Sequence, residues 1–286
     1  MISVYFDRNV FSALTELRDG VTNDDVAAIK KAIASGAVRI LSSFPLFEET
    51  LTIFGKSAEM FTRHMGLVLD LVDHSRMVKP FDLLVQKDCY DYAVGLGQND
   101  RSMTIPVRLR EFLDFPGDRD QLLRALVTDI RDYRNDSAAN LTRGMLAARA
   151  EGDRRNVGWP KDFDQLWDGL AETAVALCVD RCPREIRQKC RKRGLKKMLR
   201  VKSINLFTLY YISWLETGLF GLQGKPRKVK HSDVGEMLHA VSASAANWFV
   251  TQESKTKAGH LGYILSRRPT TRFEVLDLTD FLRRIG

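Results

Sequence analysis

Two stretches near opposite ends of the chain carry the residue types that could do chemistry. Asp7 and Asn9 close a short apolar run, Ile2-Ser-Val-Tyr-Phe6. Far downstream, Asp233, Glu236 and His239 lie in a segment of helical spacing; Asn247, the run Trp248-Phe-Val250, Thr251 and Glu253 follow. Open parallel sheets gather ligands just past the carboxyl ends of their strands, and these short polar groups sit where such ends are expected. Carboxylate oxygens collected at one edge are the donors that hard divalent cations take. Plainer roles are open for the same residues. Asn9 can cap a helix through an Asx turn, Asp233 can be a helix N-cap, and the acids can be separate caps and surface charges.

The elements that must position these groups read as follows. Residues 2–6 form a buried strand, and Val10 to Leu17 suits a short helix. Asn23 to Ala34 is a helix ended by Gly36, and Val38 to Leu41 a second strand. Ser42-Ser43 then caps a helix from about Pro45, with Leu46, Phe47, Thr50, Leu51, Ile53 and Phe54 on its apolar face. Glu48 and Glu49 flank that face, so either can reach a site beside Asp7; as acids in an early helical turn they also suit the dipole. Trp248–Val250 and Phe273–Leu276 are strands, and Leu278–Ile285 a closing helix. Leu261 to Leu265 is a short apolar segment.

Between these blocks strand signals are weak. Met60–Val72, Phe81–Tyr92, Val107–Phe112, Arg119–Arg134, Asp136–Ala150, Phe163–Cys178 and Ile204–Leu219 read as helices. Residues 57–228 thus form a helical insertion, with residues 1–56 and 229–286 as the core. The chain is 44% hydrophobic and 28% charged over 286 residues, values of a soluble globular protein. No apolar run reaches the roughly 18–20 residues that span a bilayer, and the first residues lack the basic and apolar regions of a secretion signal. Four cysteines are no disulfide framework, so a cytoplasmic location with reduced thiols is expected. Cys178, Cys182 and Cys190 lack zinc-ribbon spacing.

The net charge of +8 is local. Residues 181–202 hold eleven Lys or Arg and one Glu, leaving the remainder slightly acidic. Arg187, Lys189, Arg191, Lys192, Arg193, Lys196, Lys197 and Arg200 are the candidate phosphate contacts. A solvated helix face is the alternative. The segment has few aromatics, so base stacking is not indicated.

Val4-Tyr-Phe-Asp7-Arg-Asn9-Val-Phe-Ser12 resembles the opening of PIN-domain ribonucleases. Ser232-Asp233-Val-Gly-Glu236-Met-Leu-His239 is similar to their Asn-Asp-x-x-Asp-x-x-His pattern, and Ala246-Asn247-Trp-Phe-Val-Thr251-Gln-Glu253 to their Ala-Asp-Tyr-Phe-Val-Thr-x-Asp ending. Arg272 to Leu282 resembles the final strand and helix. The resemblance implies a three-layer α/β core with a central parallel sheet. It also implies Asp7, Glu49 or Glu48, and Glu236 as metal ligands, with Asn247 and Glu253 secondary. Asn9, Ser43, Asp233 and Thr251 are supports, and His239 is a packing or hydrogen-bonding histidine. Glu or Asn stands where the family usually has Asp.

The expected function is a Mg²⁺- or Mn²⁺-dependent endoribonuclease, in which Asp7, Glu49, Glu236 and Glu253 serve catalysis and a metal-bound water attacks phosphorus in line. RNA is favoured over DNA as partner. A toxin or defence role restrained by a regulatory protein extends the same analogy. The alternative is a PIN-like nucleic-acid-binding or assembly module with weak catalysis.

Overall fold

The computed structural model describes residues 1–97, 101–104, 119–154, 160, 162–220, 228–252 and 273–286. The chain opens with β1 (Ile2–Phe6), α1 (Arg8–Glu16), α2 (Asn23–Ala34), β2 (Val38–Ser43), α3 (Phe44–Phe54), α4 (Ala58–Leu71) and β3 (Val72–Val78). Helix α5 (Phe81–Val94), strand β4 (Ser102–Thr104), α6 (Arg119–Arg154), α7 (Phe163–Val179), α8 (Arg184–Arg193) and α9 (Lys202–Trp214) follow. A 3₁₀ turn, Leu195–Arg200, precedes α9 and a π-helical turn, Leu215–Phe220, succeeds it. The chain closes with α10 (His231–Ala243), β5 (Trp248–Thr251), β6 (Glu274–Asp277) and α11 (Leu278–Ile285).

The described strands form one six-stranded mixed sheet in the order β4-β3-β2-β1-β5-β6. Five of them run parallel, and only β4 is antiparallel to its neighbour. Strand β1 is central. Val4 pairs with Ile40 on one side and Trp248 on the other. Its alternation feeds two faces. Val4 and Phe6 pack with α1, α2 and α11 through Phe11, Leu14, Ile29 and Phe281. Tyr5 enters the opposite core, with Leu41, Phe249, Leu84, Leu166, Leu206 and Tyr210.

That second core changes the expected division of the chain. It joins sheet residues to α5, α7 and α9, so residues 57–228 share their apolar interior with the sheet. This stretch also contributes strands. Polar Asp73, His74, Ser75 and Arg76 in the middle of β3 hide it from an apolar-run reading, and its pairing with β2 is interrupted by a register shift between Leu41 and Ser42. The two helices expected over 119–150 are one 36-residue helix, about 54 Å long at 1.5 Å per residue; no proline breaks it. The expected elements at Val107–Phe112 and Leu261–Leu265 lie outside the described residues. Among the described residues no helix is long and apolar enough to cross a membrane.

Candidate functional site at the carboxyl edge of the sheet

Asp7 leaves β1 and is the N-cap residue of α1, but its side chain makes no capping bond. Its backbone N–H donates to Val250 O at 2.9 Å, which fixes the tip of β1 against β5. The freed carboxylate is held instead by Thr251 Oγ1, which donates to Oδ2 at 3.2 Å, and by Asn9 Nδ2 at 3.4 Å. Ser43, at the tip of the adjacent β2, caps α3 by accepting from Leu46 N and projects Glu48 and Glu49 one turn later. Helix α10 brings His239 from the other end of the chain.

Asp7, Glu49 and His239 form one group whose candidate ligand atoms all lie within 4.8 Å of one another, the only such group among the described residues. His239 Nε2 is 3.1 Å from Glu49 Oε2. The contact is close enough for an ion pair but off the line of a hydrogen bond, since Nε2 has no hydrogen-bond partner. On its other side, His239 Nδ1 lies 2.7 Å from Tyr5 Oη, which lies 2.7 Å from Ser43 Oγ. The chain Ser43–Tyr5–His239 orients the imidazole ring from beneath, and Tyr5 is in turn stacked on Phe249.

A fourth side chain completes the site. Arg134, in the middle of α6 and 6% exposed, donates from Nη1 to Glu49 Oε1 at 3.2 Å and from Nη2 to Glu48 Oε2 at 3.0 Å. Helix α10 approaches closely here because Gly235 has no side chain. A Cβ at that position would lie 2.9 Å from Glu49 Oε1 and 3.2 Å from Arg134 Nη1.

The electrostatics follow from this crowding. Burial raises the Asp7 pKa, and the Glu49 charge adds to the rise against the pull of His239 and the Thr251 hydrogen bond. Burial would raise Glu49 as well, but His239, Arg134 and Arg8 outweigh it and bring its pKa down to about 2. Burial alone would lower His239; the charges of Glu49 and Asp7 reverse this and raise it. Burial holds the Tyr5 phenol well above its usual range, so it remains a neutral donor.

Of the residues expected from sequence, Asp7, Glu49, Asn9, Ser43 and Thr251 meet at this edge, with Glu48 joined through Arg134. Glu236 lies one turn before His239 on α10, half-buried and outside the group. Asp233 accepts the Lys230 N–H at 2.8 Å at the start of α10, a capping role. Asn247 is not at this edge, which corrects its expected place among the metal ligands. Its Oδ1 accepts from Ser3 N at 3.0 Å and Ser3 Oγ at 2.7 Å, at the amino end of the strands. Ser3 precedes Asp7 by four residues, about 13 Å along an extended strand. Glu253 lies outside the described residues.

Sequence reasoning missed Arg134 and Gly235. The signal for Arg134 was its position: Leu123, Val127 and Arg134 follow one buried helical stripe, so a charge falls where a core residue is due. Gly235 is a glycine inside a helix, a sign of close packing.

The basic segment spans α8 and the 3₁₀ turn. Arg191 pairs with Asp180 at 2.9 Å, and Arg193 donates to the Tyr92 and Ala93 carbonyls. Lys189, Lys192, Lys196, Lys197 and Arg200 are exposed, and Arg187 is half-buried. All four cysteines are buried free thiols. Cys89, from α5, contacts both Cys182 and Cys190, a convergence that no sequence spacing reveals.

Two carboxylates and an imidazole, with an arginine alongside, can hold a divalent cation and present charge to an anionic substrate. Set against protein-family models, curated proteins and solved structures, the chain matches none of them.

Proposed function

We infer that the chain is a PIN-like, divalent-metal-dependent phosphodiesterase whose substrate is RNA. One observation carries the reading. Asp7, at the tip of β1, and Glu49, from the helix that follows the neighbouring strand β2, converge at the carboxyl edge of the parallel strands, beside a histidine more than two hundred residues after Asp7. Carboxylates of this kind repel one another until a cation joins them, and oxygen donors select Mg²⁺ or Mn²⁺. The nearby His239 nitrogen tilts the donor set toward Mn²⁺, which accepts imidazole more readily than Mg²⁺ does. Asp7 and Glu49 would hold the ion. The ion supplies Lewis acidity and a water of lowered pKa. Thr251 and Asn9 keep Asp7 oriented, and the Ser43–Tyr5–His239 chain keeps Glu49 in place. The exposed lysines of residues 189–197 add a sequence-independent attraction for polyanions.

One observation favours the second reading, a PIN-like module that binds nucleic acid without turnover. Arg134 and His239 already engage both oxygens of Glu49, the acid a metal would need. Cleavage decides between the two readings. Labelled single-stranded RNA incubated with the full chain and Mn²⁺ is expected to be cut, and Asp7→Asn to abolish cutting with the fold intact by circular dichroism. RNA binding without cutting at any Mg²⁺ or Mn²⁺ concentration supports the module. Cutting that survives both Asp7→Asn and EDTA refutes the metal reading.

A further inference from the structure

We propose that Arg134 is a latch on Glu49: its guanidinium competes with the divalent ion for this acid and is displaced onto Glu48 when the ion binds. The proposal rests on the metal reading above, and it names the group that opposes the ion and the place that group goes. Both oxygens of Glu49 are met. Arg134 Nη1 donates to Oε1 at 3.2 Å, and His239 Nε2 lies 3.1 Å from Oε2. A cation that takes Glu49 as a ligand competes with these two groups for the same oxygens. The imidazole is anchored by Tyr5 Oη at 2.7 Å from Nδ1 and is itself one of the three candidate ligands. A neutral imidazole can ligate a cation. A guanidinium has no lone pair to offer, keeps its charge at every working pH, and repels the ion. The arginine is therefore the partner that leaves.

A second arrangement is already prepared. Arg134 Nη2 donates to Glu48 Oε2 at 3.0 Å, the shorter of its two bonds to the glutamates. Its Nε is buried and has no hydrogen-bond partner. Nε and Nη2 share one edge of the guanidinium plane, the edge that grips a carboxylate through two parallel bonds. Turning the Glu48 carboxylate brings its other oxygen to Nε. The arginine then holds Glu48 with both donors of that edge, its unmet N–H gains an acceptor, and Glu49 Oε1 is free for the ion. The exchange is a rotation of side chains and needs no movement of α6 against α3. Access fits the same picture. The Glu48 and Glu49 side chains are 19% and 20% exposed and that of Arg134 is 7% exposed, so an ion meets the acids from solvent while the arginine stays inside. Glu48, a neighbour of Glu49 on α3, thus serves as the alternative partner of the arginine rather than as a ligand.

The test is calorimetric titration of Mn²⁺ into the full chain, wild type and Arg134→Gln, with thermal melts of both proteins in EDTA. Arg134→Gln should bind Mn²⁺ about tenfold or more tightly than the wild type, because a unit charge no longer opposes the ion at Glu49. Its melting temperature in EDTA should fall, because the two glutamates lose their shared partner. A merely structural arginine gives the opposite sign for the metal, since its loss disturbs Glu49 and weakens binding. Glu48→Gln should weaken Mn²⁺ binding in the wild type, where the arginine loses its alternative partner, and change nothing in the Arg134→Gln background. An equal effect in both backgrounds would make Glu48 a ligand and overturn the latch. Should Arg134→Gln fail to fold, wild-type crystals soaked in Mn²⁺ decide. Arg134 on Glu48 alone upholds the latch; Arg134 still bonded to Glu49 Oε1 beside a bound ion overturns it. Mn²⁺ affinity equal or weaker in Arg134→Gln overturns the latch and leaves the metal reading standing. No Mn²⁺ binding by either protein defeats the metal reading and the latch with it.

Discussion

Replacing Gly235 by alanine tests whether Glu49 and Arg134 belong to a working site or to a structural ion pair. The added Cβ would stand 2.9 Å from Glu49 Oε1 and 3.2 Å from Arg134 Nη1, whereas ordinary contact begins at 3.4 Å. The carboxylate must therefore retreat by about half an ångström, the tolerance within which functional groups have to be held. In a helix interior alanine gains about 0.8–1 kcal/mol over glycine, while overpacking costs about 1–3 kcal/mol. These largely cancel, leaving a net loss of roughly 0–2 kcal/mol and a melting temperature lowered by at most about 4 °C. The site has no such compensation. A displaced ligand oxygen should weaken Mn²⁺ binding by about tenfold or more, the scale seen when the supports of metal ligands are disturbed. Calorimetric Mn²⁺ titration alongside thermal melts of both proteins gives the two numbers. Unchanged Mn²⁺ affinity together with a lowered melting temperature would refute the reasoning, because Glu49 would then be moving without consequence.

Asn247→Ala separates the sequence expectation from the observed structure: it should cost about 1 kcal/mol through the lost bonds to Ser3 and leave Mn²⁺ affinity intact, and a fall in that affinity would return Asn247 to the site. The metal-free chain should lose stability as pH rises above about 6.5. His239 has a raised pKa in the fold, so between the two values the folded state holds a proton that the unfolded chain has released. His239→Asn should remove that slope in urea melts taken across pH 6–9. Glu49 works at the other end: its contribution is present above about pH 4.5 and disappears as pH falls toward 2. Changing Lys189, Lys192, Lys196 and Lys197 to glutamate should weaken RNA binding and flatten its salt dependence in anisotropy titrations; an unchanged curve would make this segment a solvated face.

The sheet core was legible because its strands are short apolar runs ending in polar tips, and Asp7, Ser43 and Thr251 mark those tips. The pairing of Glu49 with Asp7 was legible only as one of two choices, since Glu48 and Glu49 flank the same helical face. Asn247 misled through the family resemblance: it precedes the strand Trp248–Thr251, so chain order alone puts it at the amino end, where it bonds Ser3. Strand β3 was hidden by its polar middle, which reads as a loop when its neighbours are unknown. Arg134 is the largest omission. It reaches the site through packing between α6, α3 and α10, contacts with no local signature beyond a charge on a buried stripe.

The central claim is that Asp7 and Glu49 bind one catalytic cation. Anomalous diffraction from crystals soaked in Mn²⁺ tests it most directly. The account predicts a single strong peak between the Asp7 and Glu49 carboxylates, lost in Asp7→Asn crystals of the same form. A peak elsewhere, or none at this edge with the Arg134–Glu49 contact still in place, would contradict it.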